Sequence, residues 1–153
     1  MCGLLGVMGR LPDRHTFQKA LGRLQHRGPD GEGVWGPVDT PVLLGHRRLA
    51  IVDTSDAGLQ PMTRGALTIV FNGEIYNFPE LRQELQSLGC RFSTGSDTEV
   101  LLAAYDKWGP DCLGKLNGMW AFVIWDADRG ELFISRDRFG KKPLFYAFEQ
   151  GSL

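Results

Sequence analysis

Apolar and polar positions run along this chain in short blocks whose period changes several times. Residues 4–8, Leu-Leu-Gly-Val-Met, form an apolar run between glycines, which predicts a buried strand close to the chain start. Between Pro12 and Leu24 the side chains Phe17, Leu21 and Leu24 recur at helical spacing, and Pro12-Asp13 suits a helix start. His26-Arg-Gly-Pro-Asp-Gly31 is dense in turn formers and predicts a loop. Residues 41–53 read as two strand pieces, 42–44 and 49–52, with a bend or bulge at His46-Arg47-Arg48. Residues 54–65 predict a loop.

The second half is patterned as clearly. Residues 67–71 are a β-rich run that ends in Asn72-Gly73, after which Ile75-Tyr76 resumes. Residues 79–88 predict a helix with Leu81, Leu85 and Leu88 on one face, closed by Gly89. A polar loop at 94–97 leads into a helix over 98–108, with Val100, Leu101, Ala104 and Tyr105 inward. Runs at 120–125 and 132–135 flank Asp126-Ala-Asp-Arg-Gly130, a hairpin signal. Residues 144–148 predict a last strand, followed by a turn at 149–152. Strands precede, separate and follow the helices without regular alternation. That predicts an α+β layered domain with mostly antiparallel sheet.

Length and composition narrow the class. The chain has 153 residues, 42% hydrophobic and 23% charged, which predicts one globular domain over residues 1–153 with its own core. Lys plus Arg is 17 and Asp plus Glu is 18, so no basic surface for nucleic acid is expected. No apolar run nears the roughly 20 residues of a membrane span, so no membrane partner is expected. Cysteines at positions 2, 90 and 112 form neither a disulfide framework nor a zinc site. With no signal peptide at the start, the expected location is cytoplasmic. The chain stops just past a turn, where a partner strand is expected, so it reads as the N-terminal part of a longer protein.

Four segments could carry chemistry. If Met1 is removed, Cys2 presents a thiol beside a free α-amine, whose pKa of about 7.7–8.0 lets it act as a base. The bland alternative is a structural thiol. Arg48 lies between apolar pieces, where a guanidinium is costly unless paired, and its fork suits a carboxylate. The alternative is an outward-facing strand residue, as for Arg47 beside it. Asn72-Gly73 reads either as a type I′ turn or as two donors of an oxyanion hole, with Glu74 toward a substrate ammonium. Asp97 reads as a helix N-cap, a solvated loop residue or a partner for a substrate amine.

The remaining candidates are weaker. His15, His26 and His46 do not pair with a cysteine at metal-ligand spacing, and His26 is expected to order its own loop. Cys90 and Cys112 read as plain thiols. Arg136, Arg138, Lys141 and Lys142 form a basic cluster that reads as a solvated turn. No phosphate-binding glycine loop occurs.

In order, the segments Met1-Cys2-Gly3, His26-Arg-Gly-Pro-Asp30, His46-Arg-Arg-Leu-Ala-Ile-Val-Asp53, Phe71-Asn-Gly-Glu-Ile-Tyr-Asn77, Thr94-Gly-Ser-Asp-Thr-Glu99 and Arg136-Asp-Arg-Phe-Gly-Lys-Lys-Pro-Leu144 resemble one family over the whole chain. It is the glutaminase domain of glutamine-hydrolysing asparagine synthetases, a class II glutamine amidotransferase of the N-terminal-nucleophile hydrolase type. The resemblance implies a four-layer α/β/β/α sandwich of two mostly antiparallel sheets. It implies Cys2 as nucleophile and Arg48, rather than Arg47, gripping the α-carboxylate of L-glutamine. Arg48, Leu49, Ala50, Ile51 and Val52 would line the pocket. Asn72 and Gly73 would form the oxyanion hole, and Glu74 and Asp97 would lie near the α-amine.

The same resemblance implies that glutamine is hydrolysed to glutamate and ammonia without a cofactor in this domain. ATP and Mg²⁺ would serve a C-terminal synthetase domain that amidates aspartate, in a full-length protein that is a homodimer. A glutamine-binding module without turnover, a docking domain, and a synthetase with another ammonia acceptor are the alternatives.

Overall fold

The structure is a computed structural model that describes residues 1–51, 56–149 and 151–153. Its elements are β1 (Gly3–Met8), α1 (Arg14–Gly22), β2 (Gly31–Trp35), β3 (Val42–Arg48), β4 (Met62–Arg64), β5 (Leu67–Ile75), α2 (Phe78–Ser87), α3 (Asp97–Trp108), β6 (Gly118–Asp126) and β7 (Glu131–Arg136). The strands make two antiparallel sheets, one ordered β1-β3-β2 and the other β4-β5-β6-β7.

Each sheet carries helices on its outer face. Asp13 caps α1 by accepting the Thr16 N–H at 3.0 Å. Phe17 and Leu21, one helical turn apart, then lie on β3 at Gly45. A Cβ at Gly45 would meet Phe17 at 2.8 Å and Leu21 at 2.9 Å, so only glycine lets the helix approach this closely. On the other sheet, Leu81 and Leu85 of α2 and Val100, Leu101 and Ala104 of α3 cover Ile69 and Phe71 of β5 and Phe122 and Ile124 of β6. Between the sheets lie Val42, Leu44, Val70, Val123 and Trp125. The order is therefore helix, sheet, sheet, helices: the four-layer α+β sandwich that the resemblance implies.

Several elements differ from the sequence reading. Residues 42–48 form one unbroken strand, because His46 and Arg48 share its inward face with Val42 and Leu44. Residues 49–51 are not in a strand, and Val52 lies outside the described residues. The glycine-rich segment of β2 is a strand without an apolar run, paired to β3 through its backbone. β4 sits in what reads as a loop. Asn72-Gly73 is no turn, since β5 continues through it against β6, Asn72 opposite Ala121 and Gly73 opposite Trp120. Residues 143–148 have no regular structure, and Phe145, Tyr146 and Phe148 are largely exposed. Leu153 instead exchanges two backbone hydrogen bonds with Met8, at 2.7 and 3.0 Å.

The hairpin at Asp126–Gly130 forms as the sequence predicts, with Asp126 Oδ1 accepting the N–H groups of Asp128 and Arg129. In the basic turn after β7, Arg136, Arg138 and Lys141 are exposed as expected, but Lys142 is not. Asp137 is 5% exposed and accepts the backbone N–H groups of Trp120, Phe139, Lys141 and Lys142, which turns Lys142 inward.

Candidate active site

A cavity of about 90 Å³ opens where the two sheets part, beside the start of the chain. Cys2 stands one residue before the pair Gly3–Arg47, so the β1–β3 ladder sets it beside Arg48. The Leu49 N–H donates to Cys2 Sγ at 3.4 Å, and Sγ lies 3.7 Å from the Leu49 carbonyl oxygen. Arg27 Nε donates to the Cys2 carbonyl at 3.1 Å. The thiol-bearing residue is thereby joined to the loop at 26–30. Asp30 closes the same corner: its N–H donates to the Arg48 carbonyl, and its carboxylate accepts the Ala50 N–H at 2.9 Å.

The alternation of β3 decides which arginine faces the cavity. Arg48 shares the inward face with His46 and lines it. Arg47 points the other way, where it pairs with Glu32 and donates to the Gly28 carbonyl. Arg47 is 8% exposed and Arg48 7%, so neither is the outward-facing strand residue of the bland reading.

β5 supplies the opposite wall. Its odd-numbered residues turn their side chains to the helices, whereas Thr68, Val70, Asn72 and Glu74 face the first sheet. The backbone alternates as well. Trp120 bonds Asp137 on the β7 side, so the pair Gly73–Trp120 exchanges no ladder bonds. The N–H groups of Phe71, Gly73 and Ile75 therefore point to the edge of β5 away from β6. β4 begins only at Met62, opposite Ile69, and leaves the edge beyond it open. Gln60 Oε1 accepts the Phe71 N–H at 2.6 Å, His46 Nε2 bonds the Phe71 carbonyl at 3.0 Å, and Asp97 Oδ2 accepts the Ile75 N–H at 3.0 Å. No described group accepts the Gly73 N–H between them. The Asn72 side-chain amide also lines the cavity without a partner among the described residues. Two neutral donors thus face one space next to a thiol. A Cβ on Gly73 would come within 2.2 Å of the Met119 carbonyl.

The charges around this space are shifted by burial. Burial, with Arg48 nearby, lowers the pKa of His46 to about 4, against the Phe71 hydrogen bond that favours the charged form, so the ring is neutral at pH 7 and donates from Nε2. Burial, aided by the charge of Glu74, raises the pKa of Asp97 despite the backbone bonds it accepts. Asp97 is the first residue of α3, whose N-cap is Ser96, so its carboxylate is free to turn to β5.

The cavity thus gathers Cys2, Arg48, Leu49, Ile51, Asn72, Gly73, Glu74 and Asp97 of the residues expected from sequence. Ala50 does not line it, and Val52 lies outside the described residues. Arg27, His46, Gln60 and Lys142 were not given a role by sequence reasoning. Arg27, His46 and Lys142 stand inside the quoted motifs, which was the available signal; Gln60 comes from a segment whose pattern reads only as loop. His26 orders its own loop, its Nδ1 lying 3.0 Å from the Arg23 carbonyl oxygen.

The fold is thus a two-sheet sandwich with a cysteine close to the chain start and open donors at its split edge. Residues 1–153 match the glutamine amidotransferase domain family, and the chain belongs to it. It is 44% identical to asparagine synthetase [glutamine-hydrolyzing] 3 of Bacillus subtilis over 99% of this chain and 26% of that protein. Identity is 40% to asparagine synthetase B [glutamine-hydrolyzing] of Escherichia coli, over 98% of this chain and 27% of that one. The chain therefore spans about a quarter of the length of these relatives. Among solved structures, the glutamine phosphoribosylpyrophosphate amidotransferase of B. subtilis superposes with a TM-score of 0.82 at 24% identity, over 99% of this chain and 40% of that one, which establishes the shared fold.

Proposed function

We propose that this chain hydrolyses the side-chain amide of L-glutamine, with Cys2 as nucleophile once Met1 is removed. The observation that carries the reading is the convergence of the Cys2 thiol, Arg48 and the open donors of Asn72 and Gly73 on one cavity. Met1 lines the same cavity, so its removal would both free the α-amine and widen the space.

Arg48 holds the glutamine α-carboxylate by its guanidinium fork, and Glu74 and Asp97 receive the α-ammonium. The α-amine of Cys2 takes the thiol proton. The thiolate attacks the amide carbon, and the negative oxygen that forms accepts hydrogen bonds from Asn72 Nδ2 and the Gly73 N–H. The proton returns to the leaving nitrogen and ammonia departs. Water then cleaves the thioester, releasing glutamate and the free thiol. Neutral His46 cannot serve as a charged partner and instead holds β3 to β5.

The whole protein is proposed to be a cytoplasmic asparagine synthetase. A C-terminal domain would use ATP and Mg²⁺ to activate aspartate and receive the ammonia. The relatives' length and names support that extension. A full-length homodimer belongs to the same proposal.

The test combines intact mass with labelling by 6-diazo-5-oxo-norleucine. A chain without Met1 is expected to take up one label, on Cys2, and to release ammonia from glutamine. Cys2→Ala should abolish both while the circular dichroism spectrum stays the same. Substantial glutaminase activity in that variant would sink the assignment.

A further inference from the structure

Gln60 lines the cavity and has no part in this scheme. It is buried, and its side chain joins two elements that meet at the site. Oε1 accepts the Phe71 N–H of β5 at 2.6 Å, and Nε2 donates to Thr98 Oγ1 of α3 at 3.2 Å. Chemistry fixes which end is which, because a backbone N–H requires an acceptor. β2 holds the backbone of the same residue. A Cβ on Gly33 would collide with the Gln60 carbonyl oxygen, so only glycine lets β2 approach it this closely.

These contacts close a circuit around one oxyanion donor. Thr98 follows Asp97 in the chain, and Asp97 Oδ2 accepts the Ile75 N–H at 3.0 Å. The N–H groups of Phe71 and Ile75 flank that of Gly73 along the open edge of β5. Both are tied to the first turn of α3, one through Gln60 and one directly. His46 Nε2 holds the Phe71 carbonyl at 3.0 Å, so the peptide unit that leads into Asn72 is fixed as well. Oxyanion donors are effective only when held in place before the charge forms, and a displacement of about 1 Å can cost about a hundredfold in rate. An amide suits this link, since it accepts from a backbone N–H at one end and donates to a hydroxyl at the other.

We propose that Gln60 is a positioning residue for glutamine hydrolysis, bracing β5 against α3 so that the Asn72 and Gly73 donors stand ready for the oxyanion. The proposal rests on the glutaminase reading above. Gln60 acts through Phe71 and Thr98, the two residues its side chain bonds.

The experiment measures kcat and KM for glutamine hydrolysis by the chain without Met1, alone and with Gln60→Met, Thr98→Val or both. Backbone amide exchange is followed in each. Met keeps the length of the side chain without its amide, and Val keeps the shape of Thr. Gln60→Met should lower kcat about ten- to hundredfold and leave KM within about twofold, because the brace matters when the oxyanion forms. The Phe71 amide should exchange faster while the core amides of β6 do not. Thr98→Val should cause a smaller fall in kcat, and the pair should fall no further than Gln60→Met, since both cut one link. An unchanged kcat in Gln60→Met overturns the proposal. So does a loss carried wholly by KM, or losses that add in the pair. If Gln60→Met does not fold, Thr98→Val decides: a lower kcat at the same KM supports the brace, and an unchanged kcat overturns it. A parent chain that turns over no glutamine overturns the glutaminase reading and this role with it. An active parent with an equally active Gln60→Met overturns this role alone.

Discussion

Asn72 shows how little separates a turn signal from a candidate donor in mid-strand. Its dipeptide with Gly73 is the strongest short signal for a hairpin turn. Here the same two residues lie in mid-strand, where one side-chain amide and one backbone N–H open on the thiol's cavity. Asn72→Ala should lower kcat for glutamine hydrolysis by about 10²–10³, the usual cost of one lost oxyanion donor. Retained kcat with a raised KM would instead mean that Asn72 only binds substrate. Residue type alone left Arg47 and Arg48 open and the family motif pointed to Arg48; on a strand, neighbours face opposite sides, so Arg47 goes to Glu32 and Arg48 lines the cavity.

At the scale of elements, the site is a split in one edge of β5. β4 begins only at Met62, and three substitutes occupy the edge it does not cover, namely Gln60, His46 and Asp97. They satisfy Phe71 and Ile75 and leave the Gly73 N–H open. Gly73 also lets β5 and β6 close on each other. Gly73→Ala would force a Cβ to within 2.2 Å of the Met119 carbonyl, so a clear fall in Tm and loss of glutaminase activity are expected. Gly22→Ala is the counterpart, because nothing lies within 4 Å of a Cβ there, at the end of α1. It should stabilise the chain by up to about 1 kcal/mol, read by urea unfolding. The helices were legible, since Phe17 with Leu21 and Leu81 with Leu85 mark their buried faces. β2 and β4 were not, since backbone pairing rather than an apolar run places them.

Over the whole molecule, buried titratable groups make stability depend on pH. His46 is 1% exposed, and its pKa falls from 6.5 to about 4 on folding. The unfolded chain then binds more protons between those values, so stability is full above pH 6.5 and lost as pH falls toward 4. The loss from this ring alone is about 3 kcal/mol by the linkage relation. Asp137 and Glu99 act in the same direction. Burial would raise both, but the hydrogen bonds they accept outweigh it and lower their pKa values. Asp97, raised by burial, opposes them. The net expectation is a Tm that drops from pH 7 to pH 4.5, with proton uptake on unfolding. A flat Tm across that range would show that His46 titrates normally. A second measure of the core is Leu44→Ala, at a fully buried position between the sheets, which should cost about 2–5 kcal/mol in urea.

The sequence by itself determined the α+β class, the helices and the β6–β7 hairpin, because periodicity and turn chemistry are local. It also carried the family, through motifs whose order along the chain is preserved. What the tertiary structure decided is where those motifs meet. Cys2, Arg48, Asn72 and Asp97 are far apart in the chain and share one cavity because β1 pairs with β3 and β5 lies across from them. Only the fold shows that Lys142, in a cluster that reads as a solvated turn, is drawn inward by the Asp137 carboxylate. Burial and open backbone edges arise from pairing between distant segments, and no local pattern records that pairing.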